Sequence, residues 1–229
     1  MFRISQFMHE LAQAEATGVY PAPARRTGKS PAAGNTAQPL GPVVIWNLIR
    51  RCNLTCKHCY AFSADHDYPG ELSTQEVFDV LDDLQHFNVR ALILSGGEPL
   101  LRPDLFEIAA RAKAMGFYIG LSTNGTLIDA SLAQRVHAAG FDYVGISLDG
   151  IGATHDKFRR LAGAFDASLA AVRHLQKLGT KVGLRFTMTE LNAFDLPNLL
   201  NLMRDEQIDK FYFSHLNYAG RGNIHRGKD

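Results

Sequence analysis

The sequence predicts an α/β fold around a parallel sheet, on three observations. From residue 43 onward, short apolar runs rich in β-branched residues alternate with segments of helical period. Glycine-rich or polar punctuation falls at one place in each unit, just after the strand, where parallel α/β folds bind ligands. A chain of 229 residues, 46% apolar and 21% charged, is long and apolar enough to bury a sizeable core.

Phe2, Ile4, Phe7, Met8, Leu11 and Ala12 recur at helical spacing, so 2–16 reads as an amphipathic helix within an N-terminal unit, 1–20. PAPARRTGKSPAAGNTAQPLGP (21–42) has almost no bulky apolar group and cannot offset its ordering entropy; it reads as a flexible linker. VVIWNLI (43–49) is a buried strand. STQEVFDVLDDLQHF (73–87) opens with a Ser/Thr cap and a capping-box Glu76. RALILS (90–95) is a strand and PDLFEIAARAKAM (103–115) a helix, with Pro103 suited to its first turn. YIGLST (118–123) precedes a helix at 129–139 that Gly140 stops. YVGISL (143–148) is followed by the helix FDASLAAVRHLQKLG (165–179). Strand KVGLRFTM (181–188), helix 195–205 and strand KFYFSH (210–215) complete a core over 43–217, and 218–229 reads as a basic tail. Six strands alternating with five helices call for right-handed crossovers. An open doubly wound sheet and an incomplete barrel both satisfy the periodicity.

The net charge of +1 is unevenly spread: residues 42–220 carry 17 basic against 20 acidic side chains. That leaves no broad basic field for nucleic acid. The opening MFRISQFMHELAQAEATGVY is no signal peptide, because Arg3, His9, Glu10 and Glu15 interrupt any apolar core. No run of about 18 apolar residues exists to span a membrane. Three cysteines without an export signal point to the reducing cytoplasm, where clustered thiols more often hold metal than disulfides.

Those cysteines, Cys52, Cys56 and Cys59, stand within RCNLTCKHCYAF. Three readings compete. They could be free thiols. With His58 they could form a four-ligand zinc site, although neighbouring side chains rarely converge on one tetrahedral ion. They could also carry an iron–sulfur cluster, which usually takes four cysteines, so that three leave one iron open. Arg51, Lys57 and His58 would favour the thiolates. The remaining punctuation is SGGEP (95–99), STNG (122–125) and SLDG (147–150), with Arg185 and Thr187 in the fifth strand and His215 ending the sixth.

CNLTCKHC has the Cx3Cx2C spacing of the radical S-adenosylmethionine (SAM) superfamily, and SGGEP follows the next strand as that superfamily's GGEP motif does. The resemblance covers residues 43 to about 217. It implies a partial (β/α)6 barrel, a [4Fe-4S] cluster on Cys52, Cys56 and Cys59, and SAM chelating the open iron. Reductive cleavage of SAM then yields a 5′-deoxyadenosyl radical that abstracts hydrogen from substrate. The resemblance further implies that Gly96 and Gly97 let backbone approach the methionyl group, and that Glu98 accepts from its ammonium. Ser147 and Asp149 would serve the ribose, Asn124 the same pocket, Arg185 the SAM carboxylate, and His58 the neighbourhood of the adenine. Tyr60 is expected to pack in the core. A ferredoxin- or flavodoxin-type electron donor is implied as well.

The opening MFRISQFM, the Pro-rich linker, IRRCNLTCKHCYAFSADHDYPGELST and FSHLNYAGRGN are similar to NirJ-type proteins of haem d1 biosynthesis. This likeness implies a tetrapyrrole substrate, didecarboxysirohaem, from which two propionate side chains are lost. Relatives that decarboxylate haem precursors or modify peptides carry similar motifs, and a non-catalytic metal-binding scaffold is the alternative of a different class. NirJ-like proteins also have a C-terminal cysteine-rich domain with a second cluster. With no cysteine after Cys59, the chain reads as the catalytic core with that domain absent.

Overall fold

The computed structural model of the chain describes residues 2–3 and 42–224. β1 (Phe2–Arg3) pairs antiparallel with the last strand, Phe2 opposite Phe213. Six strands run parallel: β2 (Val43–Asn47), β3 (Ala91–Ser95), β4 (Tyr118–Thr123), β5 (Tyr143–Ser147), β6 (Val182–Met188) and β7 (Lys210–His215). Their order across the sheet is their order in sequence, and it never reverses. Right-handed crossovers that always step to the same side keep the helices on one face. The sheet therefore curls into a half-barrel, which decides the question that periodicity left open.

The helices are α1 (Thr74–His86), α2 (Leu105–Ala114), α3 (Ala130–Ala138), α4 (Ala153–Arg159), α5 (Ala164–Lys177), α6 (Leu196–Asp205) and α7 (Arg221–Ile224). The five expected helices are present. At α1 the Ser73 N–H donates to Glu76 Oε2 at 2.8 Å while Ser73 Oγ accepts from Glu76 N, the reciprocal pair that the sequence called for. α4 and α7 were not foreseen. Correction is also needed at the N-terminus, where Phe2 and Arg3 are strand and not helix, because they extend the sheet beyond β7. The remainder of that expected helix and linker residues 21–41 lie outside the described residues.

Strand alternation sorts the two faces of the sheet. Leu92, Leu94, Ile119, Leu121, Val144, Ile146, Leu184 and Phe186 are all but inaccessible in the core between sheet and helices. Burying each such side chain stabilises by about 1.5–3 kcal/mol, so this convex layer holds the fold together. The residues between them point into the concave face, which is free to be polar: Ser122 on β4, Gly145 and Ser147 on β5, Arg185 and Thr187 on β6. No helix among the described residues is long and apolar enough to cross a membrane.

Candidate functional site

The carboxyl ends of the parallel strands open on one cavity of about 440 Å³. Cys52, Cys56 and Cys59 all line it. Their loop has little regular structure, and distant backbone holds it. Cys52 N donates to Ala64 O at 3.0 Å and Lys57 N to Phe158 O at 3.0 Å. Each sulfur meets an N–H donor: Leu54 N at 3.4 Å from Cys52 Sγ, Ser63 N at 3.4 Å from Cys59 Sγ, and Arg159 Nη1 at 3.6 Å from Cys56 Sγ. Burial pushes the Cys52 thiol up to about 12 and raises Cys56, with the Arg159 guanidinium opposing it at Cys56.

Two of the cations that the sequence suggested, Arg51 and His58, do not serve the thiols. Arg51 is tied to Asp65 at 2.7 Å and to Asp67 at 3.2 Å on the surface. Burial pushes His58 down to about 4, so its ring is neutral and stacks on Phe158 at 4.7 Å. Arg159, 103 residues beyond Cys56, supplies the charge instead. It closes α4, a helix too short and too weakly periodic to read from sequence, and sequence reasoning missed it. A buried ion pair to Asp149 at 2.5 Å fixes it. Asp149 is inaccessible to solvent, and its Oδ1 accepts from Thr187 N at 2.8 Å. Asp149 therefore stands behind the cavity wall rather than in it.

The SGGEP loop differs from expectation in its reason. Gly96 and Gly97 line the cavity, but a Cβ on Gly97 would be driven into the carbonyl oxygens of Arg50 and Arg51, and one on Gly96 into that of Ile49. The glycines let the loop seat against the entry to the cysteine segment, with Gly97 N donating to Ile49 O at 2.6 Å and Glu98 N to Arg51 O at 2.9 Å. The Glu98 side chain is wholly buried. Its Oε1 accepts from Thr123 Oγ1 at 2.7 Å and from Leu100 N at 3.2 Å, and its Oε2 from Asn124 N at 2.8 Å. Burial nevertheless raises Glu98 to about 7. Its carboxyl pins the third strand's loop to the second's.

Asn124 lines the cavity and reaches the cysteine loop, donating to Asn53 Oδ1 at 2.9 Å. Ser147 and Arg185 are register partners on β5 and β6, and both line the cavity. A Cβ on Gly145 would come within 2.9 Å of Arg185 Cδ, so that glycine gives the arginine its space. Burial lowers Arg185, while Tyr143, Tyr212 and Tyr60 act in the opposite direction. Tyr60 is not a core residue: it lines the cavity, is 45% exposed, and donates from its hydroxyl to Asn47 Oδ1 at 2.8 Å.

Residues 218–224, read from sequence as the start of a tail, pack against the cysteine loop. Arg221 N donates to Cys59 O at 2.8 Å, Arg221 Nε to Cys56 O at 2.7 Å and Nη2 to Ser63 O at 2.8 Å. Gly220 lies so close to the Cys59 and Tyr60 carbonyls that a Cβ there would collide with both.

The family model of the radical SAM superfamily matches residues 46–203. The chain belongs to the radical SAM superfamily. The pre-heme d1 synthase of Dinoroseobacter shibae is 54% identical over 229 residues, which is all of this chain and 53% of that protein. The Fe-coproporphyrin III synthase of Methanosarcina barkeri is 50% identical over 182 residues, covering 80% of this chain and 46% of that one. The chain thus spans about half the length of the curated relatives it matches. Among solved structures, Streptococcus suis SuiB bound to S-adenosylmethionine superposes with a TM-score of 0.67 at 15% identity, covering 92% of this chain and 44% of SuiB. That likeness concerns the fold.

Membership in the superfamily implies SAM and an iron–sulfur cluster, and the residues present fit such groups. His58 Nδ1 and Ser63 Oγ are buried without a hydrogen-bond partner, and both residues line the same cavity as the thiols. Donors to sulfur are what iron–sulfur thiolates use.

Proposed function

We propose that this chain is the radical SAM core of an enzyme of haem d1 biosynthesis, acting on didecarboxysirohaem to remove two propionate side chains. The observation that carries the reading is the set of three thiols on one cavity, each with its own N–H donor, in a chain 54% identical along its whole length to a pre-heme d1 synthase. Cys52, Cys56 and Cys59 would hold a [4Fe-4S] cluster. When bound, cluster and SAM together supply the hydrogen-abstracting radical chemistry.

The chain's own residues bind, orient and shield. Arg185 would pair with the SAM carboxylate, Ser147 would serve the ribose, and His58, held neutral, would face the adenine region. Gly96 and Gly97 would offer backbone rather than side chain to the methionyl group. Glu98 and Asp149 would act from behind the wall, Glu98 by fixing the Asn124 loop and Asp149 by fixing Arg159. A ferredoxin- or flavodoxin-type donor would supply electrons in a reducing, cytoplasmic setting.

The test is anaerobic reconstitution followed by incubation with SAM, dithionite and didecarboxysirohaem. The expected result is a brown protein with about four iron atoms per chain and SAM-dependent loss of propionate mass from the tetrapyrrole. A colourless protein would end the cluster assignment. An iron-replete protein that cleaves SAM but modifies only another haem precursor, or a peptide, would move the substrate assignment.

A further inference from the structure

We infer that Arg159 is a positioning residue for Cys56 that sets how readily the cluster accepts an electron. This rests on the reading that Cys56 is a cluster ligand.

The geometry is specific. Cys56 is buried, so its thiolate lacks the solvation that stabilises an exposed one. The Arg159 guanidinium lies 3.6 Å from Cys56 Sγ and is itself buried. Chain geometry fixes its distance from the sulfur. Lys57, the residue after Cys56, donates its N–H to the carbonyl of Phe158, the residue before Arg159, at 3.0 Å. His58 stacks on Phe158 across the same junction. Cysteine loop and α4 terminus therefore move as one body. On its far side Arg159 meets Asp149, which Thr187 N and the Asn192 side chain hold in turn through its Oδ1 and its main-chain oxygen.

The electrostatics follow from that order of charges. Reduction adds one electron to the cluster from a low-potential one-electron donor, with no bond made or broken at the protein. A cation fixed beside one thiolate favours the more negative, reduced state, because Coulomb energy is large in a water-poor site. Asp149 behind it opposes this in part. The two side chains should thus shift the reduction potential in opposite directions, which a purely structural role would not produce. Hydrogen bonds and charges near the sulfurs are known levers on cluster potential.

The experiment uses the whole chain, reconstituted anaerobically without SAM, with the reduced cluster counted by electron paramagnetic resonance at fixed solution potentials. In Arg159→Gln the reduced-to-oxidised ratio at a given potential should fall at least about tenfold, equivalent to 59 mV for a one-electron couple. Asp149→Asn, whose side-chain oxygen can still accept from Thr187 N, should raise that ratio. Arg159→Lys should stay near wild type. If Arg159→Gln fails to take up iron, the decision passes to Asp149→Asn. An iron-replete Arg159→Gln with the wild-type potential, or both variants shifting the same way, or Asp149→Asn unmoved, would overturn the inference. Failure of the cluster reading looks different: wild-type protein would then hold no iron at all.

Discussion

Removing the Glu98 carboxyl should unfold the site before it unbinds anything. Glu98 is inaccessible to solvent and accepts three hydrogen bonds, from Thr123 Oγ1 at 2.7 Å, Asn124 N at 2.8 Å and Leu100 N at 3.2 Å. Glu98→Ala leaves those donors without an acceptor. The Thr123 hydroxyl can rotate, but the two N–H groups cannot. Each buried donor left unsatisfied costs about 1–3 kcal/mol, so the loss should be about 2–6 kcal/mol, reduced if water enters the vacated space. Against a total stability of about 5–15 kcal/mol this is a large fraction. Urea denaturation followed by circular dichroism gives the number, with an unchanged m-value showing that the same transition is being compared. The family resemblance implied the opposite emphasis, a carboxylate facing the SAM ammonium. A variant with the wild-type midpoint and only weakened SAM binding would refute the structural argument and restore that one.

Four further outcomes are expected. Glu98→Gln should flatten the pH dependence of stability. Burial raises Glu98 from 4.5 to about 7, so its stabilising contribution is full below about 4.5 and is lost as pH rises through 7, on the order of 3 kcal/mol; equal slopes in both proteins would refute it. Gly97→Ala should destabilise by about 1–3 kcal/mol, since its methyl group meets the Arg50 and Arg51 carbonyls, and a wild-type melting temperature would count against that. Cys56→Ala should abolish iron uptake while changing the stability of the metal-free fold by no more than about 1 kcal/mol, within the ordinary range for a single substitution, so retention of full iron content would remove Cys56 from the ligand set. Arg221→Ala should speed iron loss, read with a chromogenic chelator, because two side-chain bonds to the Cys56 and Ser63 carbonyls disappear; unchanged release would show that the loop does not need them.

Much of this was legible because the signals are local. Ser73 and Glu76 cap a helix through contacts three residues apart, and strand alternation puts Leu92 and Leu94 on one face by period alone. The three cysteines announce themselves by spacing. Strand order is a different kind of quantity, since a doubly wound sheet and a half-barrel can carry the same sequence period. Only the unreversed pairing from β2 to β7 separates them. The candidate site was legible as a list of loops and illegible as a set of directions. Glu98 and Asp149 stand in the expected loops, yet both carboxylates turn into the protein, Glu98 toward Asn124 N on the next loop and Asp149 toward Thr187 N on β6. Nothing in the SGGEP or SLDG stretches encodes that turn.

The least legible feature is what holds the cysteine loop. Residues 50–63 contain no helix or strand, so no repeating hydrogen-bond ladder orders them. Their fixed contacts come from four places far apart in sequence: the Arg51 carbonyl against Glu98, Asn53 against Asn124, Lys57 against Phe158, and Cys56, Cys59 and Ser63 carbonyls against Arg221. Ordering about a dozen backbone residues costs on the order of 1–2 kcal/mol each, and a loop with so few internal bonds cannot offset that alone. The arrangement of the three thiols is therefore a property of the closed half-barrel rather than of the CNLTCKHC stretch. It follows that an excised peptide bearing this stretch should lack the fixed sulfur geometry. It also follows that Gly220 and Arg221, which lie beyond the last parallel strand and would pass for linker by composition, belong to the site as fully as the residues that flank the cysteines.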